Sequence, residues 1–585
     1  MASFGFRKTY GAELTQDGQT LFTVWAPSKR SISVKIEGLG TFPLHPTEHG
    51  LFQTKVRCSA GARYRFALDT GEMVSDPASR YQPEGVLGPS EVINPNDYDW
   101  QNPHWLGRPW NEAVIYELHV GLMGDYDGII TKLDELRELG VTAIELMPLN
   151  SFGGSRNWGY DGVLPYAPSN TYGHPNDLKS LIDAAHARGI MVILDVVYNH
   201  FGPEGNFLPL YAEDFFDHDN NSTWGTGIAF ATPPVAQFFT ENVLYWLMEY
   251  RFDGIRIDAA SAISDRHWFY DVLQRVKDTV APERHVHLIL ENENNDSELL
   301  RDGYTAQWND DGHNSLHVLL TGEHEGYYEM FSKNPTEDLA TVLSEGFAYQ
   351  GKFNPYSGKN RGSPSKDLNP QKFIFFLQNH DQTGNRALGE RLVSLANSDA
   401  VKAAYALVLL SPMIPMIFMG EEWGCTTPFY FFCDFKGELG NAVKEGRFRE
   451  FEKFSSFKDH SERTKIPDPN ALQTYEKSRP DRSMRNTPEG QAWLELTKTC
   501  LELRKKYVSP FLNHIQTAQI DILGPGCIWV KWCLTDQSNI VLVINISEKN
   551  YTLNKKFHLI FSTNTNISSE NIPTNTLLFG QEICS

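Results

Sequence analysis

The sequence predicts an α/β protein: a (β/α)8 TIM barrel carrying a small β domain at each end. Three observations carry that reading. Four apolar runs, DVVYNH (195–200), GIRIDAA (254–260), LILEN (288–292) and LQNHD (377–381), each end in carboxylate, histidine or asparagine. Runs of this kind read as buried parallel strands, and polar residues just past their ends sit on the C-terminal rim where barrels keep their chemistry. From about residue 113, strand and helix patterns alternate. Finally, 585 residues are too many for one domain.

Taken in order, residues 1–95 read as the first β domain, with TLFTVWAP (20–27), SISVKIEG (31–38) and YRFAL (64–68) as short alternating strands between turns. A linker rich in Pro, Asn and Trp occupies 96–112. The barrel spans 113–511. VIYELHV (114–120) is strand one, and IITKLDELRELG (129–140) is an amphipathic helix closed by glycine. VTAIELMPL (141–149) is strand two, DLKSLIDAAHARG (177–189) a helix, and IMVILDVVYNH (190–200) strand three. Residues 201–231 are irregular and aromatic. VAQFFTENVLYWLMEYR (235–251) is a helix before strand four at GIRIDAA, and DRHWFYDVLQRVKDT (265–279) a helix before strand five at HVHLILEN. TAQWNDD (305–311), FIFFLQNHD (373–381) and PMIFMGEE (415–422) supply strands six to eight, and GQAWLELTKTCLELRKKY (490–507) the last helix. The tail domain, 512–585, holds strands at CIWVKWCL (527–534) and NIVLVINIS (539–547). Beyond 557 charge thins and Asn, Ser and Thr take over, so the end is expected to be loose.

Net charge is −21 and pI about 5.3. That argues against a nucleic-acid or anionic-membrane partner and fits an enzyme acting on a neutral substrate. The apolar stretch at 403–420 is broken by Pro412 and Pro415, so it reads as a buried helix followed by a strand rather than a membrane span. Seven scattered cysteines without CxxC suggest reduced thiols in a cytosolic protein, and the N-terminus has no apolar signal region. The sequon Asn221-Ser222-Thr223 then means little. No catalytic metal and no cofactor are expected.

Arg256 and Asp258 are two apart on strand four and share a face, so Arg256 is expected to keep Asp258 ionised, as a nucleophile requires. Glu291 ends strand five, where burial can raise its pKa and suit it to general acid work; Glu293 is its local rival. Asp381 follows Asn379 and His380 on strand seven. With Asp195, Asn199 and His200 at strand three, these residues suit hydrogen bonding to sugar hydroxyls. Two opposed carboxylates are the working parts of a glycosidase, and a third suggests a developing positive charge.

The four segments, in this order, resemble the α-amylase superfamily, glycoside hydrolase family 13. That resemblance implies a retaining reaction with Asp258 as nucleophile, Glu291 as acid/base and Asp381 as the stabiliser gripping ring hydroxyls. Arg256, His200 and His380 would line the subsite of the attacked sugar. Longer stretches, RNWGYDGVLPYAPSNTYGHPNDLK (156–179), QWNDDGHNSLHVLLTGEHEGYY (307–328), FLQNHDQTGNRALGERL (376–392) and FMGEEWGCTTPFYFFCDF (418–435), resemble the maltooligosyltrehalose trehalohydrolases. Coverage runs from Phe4 to about 515. The resemblance implies an N-terminal β-sandwich like those of branching enzymes, a C-terminal β-sheet domain, and cleavage of the α-1,4 bond next to the terminal trehalose of a maltooligosyltrehalose. It also implies functional pairing with a maltooligosyltrehalose synthase. Tyr160, in the Trp158–Asp161 run, joins the substrate-binding set. Recognition of trehalose is expected from Gln382, Asn385 and Arg386 after strand seven and from Glu422, Trp423, Phe429 and Tyr430 after strand eight. Ser261 stands where relatives are expected to carry His, and the tail after 550 is atypical. The alternatives are a glycogen branching enzyme, which would have Glu at position 382, and a non-catalytic glycan-binding scaffold, which would lack the acids.

Overall fold

The computed structural model describes residues 4–221, 224–354, 357–535, 538–564 and 571–583. Ser222 and Thr223 of the sequon, and Cys584, lie outside them. Eight parallel strands close into a barrel in sequence order: β1 Ile115–Leu118, β2 Ala143–Leu146, β3 Met191–Val196, β4 Gly254–Ile257, β5 His287–Leu290, β6 Ala306–Trp308, β7 Phe373–Phe376 and β8 Ile414–Phe418. The ring closes where β8 pairs with β1, Met416 opposite Ile115. Every residue of these strands is buried, which is why they read as continuous apolar runs rather than alternating ones. Helices Pro175–His186, Pro233–Met248, Arg266–Thr279, Ser398–Leu410 and Pro488–Tyr507 fall where expected. The segment read as one helix at 129–140 is two, Asp125–Ile130 and Leu133–Leu139. Lys132, at the break, donates Nζ back to the carbonyls of Met123 and Gly128. The stretch at 403–420 is the end of one buried helix followed by β8. Among the described residues no helix is long and apolar enough to cross a membrane.

Before the barrel, two antiparallel sheets of short strands face each other, with Phe22 of one edge-on to Tyr64 of the other at 4.9 Å. A buried ion pair between Lys8 and Glu249, 2.5 Å, ties this unit to the barrel. Residues between the two units pack down onto the barrel: Asp183 accepts from the backbone N–H groups of Gln101 and Asn102 at 2.7 and 2.9 Å.

After the barrel comes a five-stranded sheet in the spatial order Ile515–Gly524, Cys527–Leu534, Ser538–Asn545, Thr576–Ile583, His558–Ser562. The expected looseness of the end does not hold for Thr576–Ile583. This strand pairs along its whole length with Ser538–Asn545, and Leu577 and Phe579 are fully buried. The consecutive apolar residues Leu577, Leu578 and Phe579, all buried, rather than the thinning of charge, decide the structure. The six described cysteines are free thiols.

Candidate active site

Four strands deliver the acids. In β3 and β4 Asp195 stands opposite Arg256, and in β4 and β5 Arg256 stands opposite Ile289, so the guanidinium lies between three strand ends. Arg256 is 1% exposed, with its guanidinium 4.0 Å above the Trp308 ring. Its Nη1 donates to Asp195 at 2.7 Å and to Asp258 at 2.8 Å, and its Nη2 lies 2.7 Å from Glu291. Just past Asp258 the chain turns through Ala259 in a left-handed conformation, φ 39° and ψ 49°, uncommon for a residue with a side chain. The turn points the Ala259 N–H at Glu291, 2.9 Å away. Asp381 opens a short helix, His380–Gly384, and accepts from Asn385 Nδ2.

Asp258 and Glu291 are neighbours on one guanidinium, Asp258 on Nη1 and Glu291 on Nη2 of Arg256. The pKa shifts of the two acids run opposite to those expected from sequence. Burial and the Glu291 charge push Asp258 well above the usual carboxylate range. Burial also acts to raise Glu291, but Arg256 and the Ala259 N–H outweigh it and hold Glu291 below its ordinary value. Asp381 is raised by burial, against the pull of His380. His200 is pushed down to about 4 by burial, so its ring is neutral, with Nδ1 2.7 Å from Asn199 Oδ1. His380 goes the other way: burial acts to lower it, and Glu117 more than offsets that.

The acids stand where two lobes of a cleft meet. Glu291, Asp381 and Asn385 line both lobes. The first, about 760 Å³, is lined by Tyr160, Asn199, His200, Arg256, Asp258 and His380. The second, about 560 Å³, is lined by Gln382, Glu293, Asp310, Asn314, Tyr327 and Arg361. Asp195 lies one layer below, reached by the Tyr160 hydroxyl at 2.6 Å. Asp310 is pushed up to about 8 by burial and by the charges of Glu291 and Asp381, so at neutral pH it keeps its proton and can donate as well as accept from Gln382.

Five predicted residues are not brought to this cleft. Arg386 turns away into a bidentate pair with Glu323, 2.7 and 3.0 Å. Glu422 is buried behind β1, accepting from the Tyr116 hydroxyl at 3.0 Å. Trp423 is 1% exposed, with Arg482 and Arg485 over its ring. Phe429 is fully buried and stacks on Trp158 at 5.3 Å. Tyr430 engages through its backbone, accepting from Trp158 Nε1 at 2.9 Å. In their place the structure brings Phe216, Trp224, Phe431 and Phe435 to the first lobe. Trp224 is 63% exposed; the aromatic density of 201–231 was its only signal.

HxxxH spacing occurs at His45 and His49 and at His313 and His317, the latter four apart on the helix Asp310–Thr321. His313 Nδ1 is engaged with the Leu377 carbonyl at 2.8 Å and His317 Nε2 with Glu323 at 2.6 Å. Among the described residues no group of three or more potential ligands could hold a metal ion.

Comparison with known proteins agrees with this geometry. Residues 89–223 match the family model of the alpha amylase catalytic domain. A malto-oligosyltrehalose trehalohydrolase of Deinococcus radiodurans is 39% identical over 548 residues, 90% of this chain and 88% of that protein. Its counterpart in Saccharolobus solfataricus is 42% identical over 76% of this chain and 80% of that protein. A crystal structure from Salmonella typhimurium, of a protein called an alpha amylase, superposes with a TM-score of 0.94 at 41% identity, covering 98% of this chain and all of that one. A branching enzyme of Corynebacterium jeikeium matches only 44% of this chain, at 34% identity.

Proposed function

From the premise that the chain belongs to the malto-oligosyltrehalose trehalohydrolase family, we propose that it hydrolyses the α-1,4 bond joining a terminal trehalose to a maltooligosaccharide, with retention. Asp258 is the nucleophile, Glu291 the acid/base and Asp381 the transition-state stabiliser. One observation supports this: a single guanidinium, Arg256, holds Asp258 on Nη1 at 2.8 Å and Glu291 on Nη2 at 2.7 Å, which keeps the two carboxyls close together. Inverting enzymes need room for water between their carboxyl groups, about 6.5–9.5 Å, whereas retaining enzymes keep them close.

The lobes give the direction of the substrate. Asp258, Arg256, His200 and His380 face only the first lobe, so the attacked sugar sits there with the maltooligosaccharide behind it. Glu291 faces both, as a group must that protonates the oxygen passing to the leaving side. Trehalose then occupies the second lobe, where Gln382, Asp310, Asn314 and Arg361 can bond hydroxyls of two rings. A site built to bond hydroxyls rejects a ligand that leaves its polar groups unpaired.

In the first step an Asp258 oxygen bonds to the anomeric carbon. The glycosidic C–O bond breaks, and Glu291 gives its proton to the departing trehalose oxygen. In the second, Glu291 takes a proton from water, whose oxygen displaces Asp258. The pair must therefore hold one proton, on Glu291 at the moment of attack.

The chain would act in the cytoplasm, downstream of a synthase that makes maltooligosyltrehalose. The deciding experiment compares products from maltotriosyltrehalose and from amylose. Trehalose plus maltotriose from the first supports the reading; new α-1,6 branches from the second with no trehalose from the first would replace it with a branching enzyme.

A further inference from the structure

Glu117 sits in the middle of an apolar strand, β1, and is 1% exposed. A buried carboxylate demands partners, and both of its oxygens find one residue. Oε2 accepts the backbone N–H of His380 at 2.9 Å, and Oε1 meets His380 Nδ1. The carboxylate thus clamps the main chain and the imidazole of His380 at once. Tyr160 stacks on the ring at 5.1 Å and 23°, and Trp158 meets it edge-on at 5.4 Å. With Nδ1 taken and both flanks packed, Nε2 is the ring nitrogen left to serve the first lobe, which His380 lines.

We propose that Glu117 is a positioning residue for glycoside cleavage: it keeps His380 doubly protonated and aimed, so that Nε2–H donates to a hydroxyl of the attacked sugar. This rests on the trehalohydrolase reading for the choice of sugar. A neutral ring with its proton on Nδ1 would present Nε2 as an acceptor instead, reversing the polarity of the contact. The surroundings favour the cation. Burial and Arg256 oppose it, while the charges of Glu117, Asp381, Asp195 and Glu291 act in its favour, and His119, lowered to about 4 by burial, adds no opposing charge at neutral pH. Glu145, opposite Glu117 in the neighbouring strand, is pushed well above the usual carboxylate range by burial and by the Glu117 charge. Among the described residues neither of its oxygens has a hydrogen-bond partner, so it does not compete for His380. The ion pair also presents the sugar with a donor at no net charge, which suits a transition state that is itself positive.

The test is the titration of His380, followed by NMR of protein labelled with 15N in its histidine rings, the signal being assigned by its loss in His380→Gln. In the unaltered protein His380 should remain a double N–H donor at neutral pH. In Glu117→Gln its titration should move down by about one pH unit or more, and kcat/KM for maltotriosyltrehalose should fall about ten- to a hundredfold, as for loss of a charge-assisted bond. Glu117→Asp should recover part of the titration shift. A His380 that is neutral at neutral pH in the unaltered protein overturns the proposal even if no variant folds. So does a Glu117→Gln protein that is less stable but keeps the same His380 titration and kcat/KM. Absence of any trehalose release by the unaltered protein would count against the reading of the substrate, leaving the NMR result to decide the role of Glu117.

Discussion

Replacing Arg256 by lysine tests the centre of the site most directly. Its Nη1 reaches Asp195 at 2.7 Å and Asp258 at 2.8 Å, while Nη2 reaches Glu291 at 2.7 Å. A lysine ammonium is one donor centre on a flexible stem and cannot reproduce a planar fork. At best Arg256→Lys keeps the two bonds of Nη1 and loses the one to Glu291. A hydrogen bond to a charged group contributes about 1.5–3 kcal/mol. At about 1.4 kcal/mol per factor of ten, kcat/KM should drop about ten- to a hundredfold. Stability should fall as well, with a defined pH dependence. Arg256 is the chief group holding Glu291 below its ordinary pKa against burial. A depressed carboxyl pKa stabilises the fold above the unfolded value, and that contribution is lost as pH falls through the folded value. The Tm deficit of the lysine variant should therefore be largest near neutrality and shrink in acid. The assay is initial-rate release of trehalose from maltotriosyltrehalose, with thermal unfolding followed from neutral to acid pH. A variant with unaltered kcat/KM, or one whose Tm deficit does not shrink in acid, would refute the idea that this guanidinium holds the acids in register.

Asp258→Asn should fold yet lose nearly all turnover, because an amide cannot form the glycosyl ester, and Glu291→Gln should do the same on substrates with poor leaving groups; near-native rates from either, measured on maltooligosyltrehalose, would remove that residue from its role. Proton NMR of the earliest products should show the α-anomer of the new reducing end, and first appearance of the β-anomer would end the case for double displacement. Gln382→Ala and Arg361→Ala should impair cleavage of maltotriosyltrehalose more than cleavage of maltopentaose, since both line the lobe assigned to trehalose; equal losses on the two substrates would place trehalose elsewhere. Trp423→Ala should instead lower Tm by removing a fully buried ring, a loss of about 3–5 kcal/mol, with no preference between the two substrates in the protein that remains folded.

The eight strands and the position of the three acids at the rim were legible because a barrel writes itself simply. Buried parallel strands are unbroken apolar runs, and the first polar residue after each marks the rim. Directions off the rim were not legible. Gln382 and Arg386 lie four apart after the same strand, yet one faces the cleft and the other is drawn to Glu323. Glu422 and Trp423 follow β8 closely, but the chain turns at once and carries both beneath the rim. Aromatic character alone could not separate Phe429, which supports Trp158, from Phe431, which lines the cleft. The pairing of Glu117 with His380 spans 263 residues, so no local pattern encodes it. A signal was nonetheless present: a lone acid inside the apolar run VIYELHV needs a partner somewhere. The opposed pKa shifts of Asp258 and Glu291 also lay beyond sequence, because they depend on one arginine reaching two strand ends at once.

The order of strands in the last sheet bears on how the protein is made. Thr576–Ile583 lies between Ser538–Asn545 and His558–Ser562, although both neighbours leave the ribosome before it. Until it arrives, each neighbour presents a row of unpaired backbone groups, the kind of edge that recruits other chains. The barrel can close earlier, since β8 is complete more than 150 residues upstream. Nascent chains should thus pass through a stage with a finished barrel and an open sheet. Premature termination within the final strand would leave that edge permanently uncovered, in molecules whose sugar cleft is already formed.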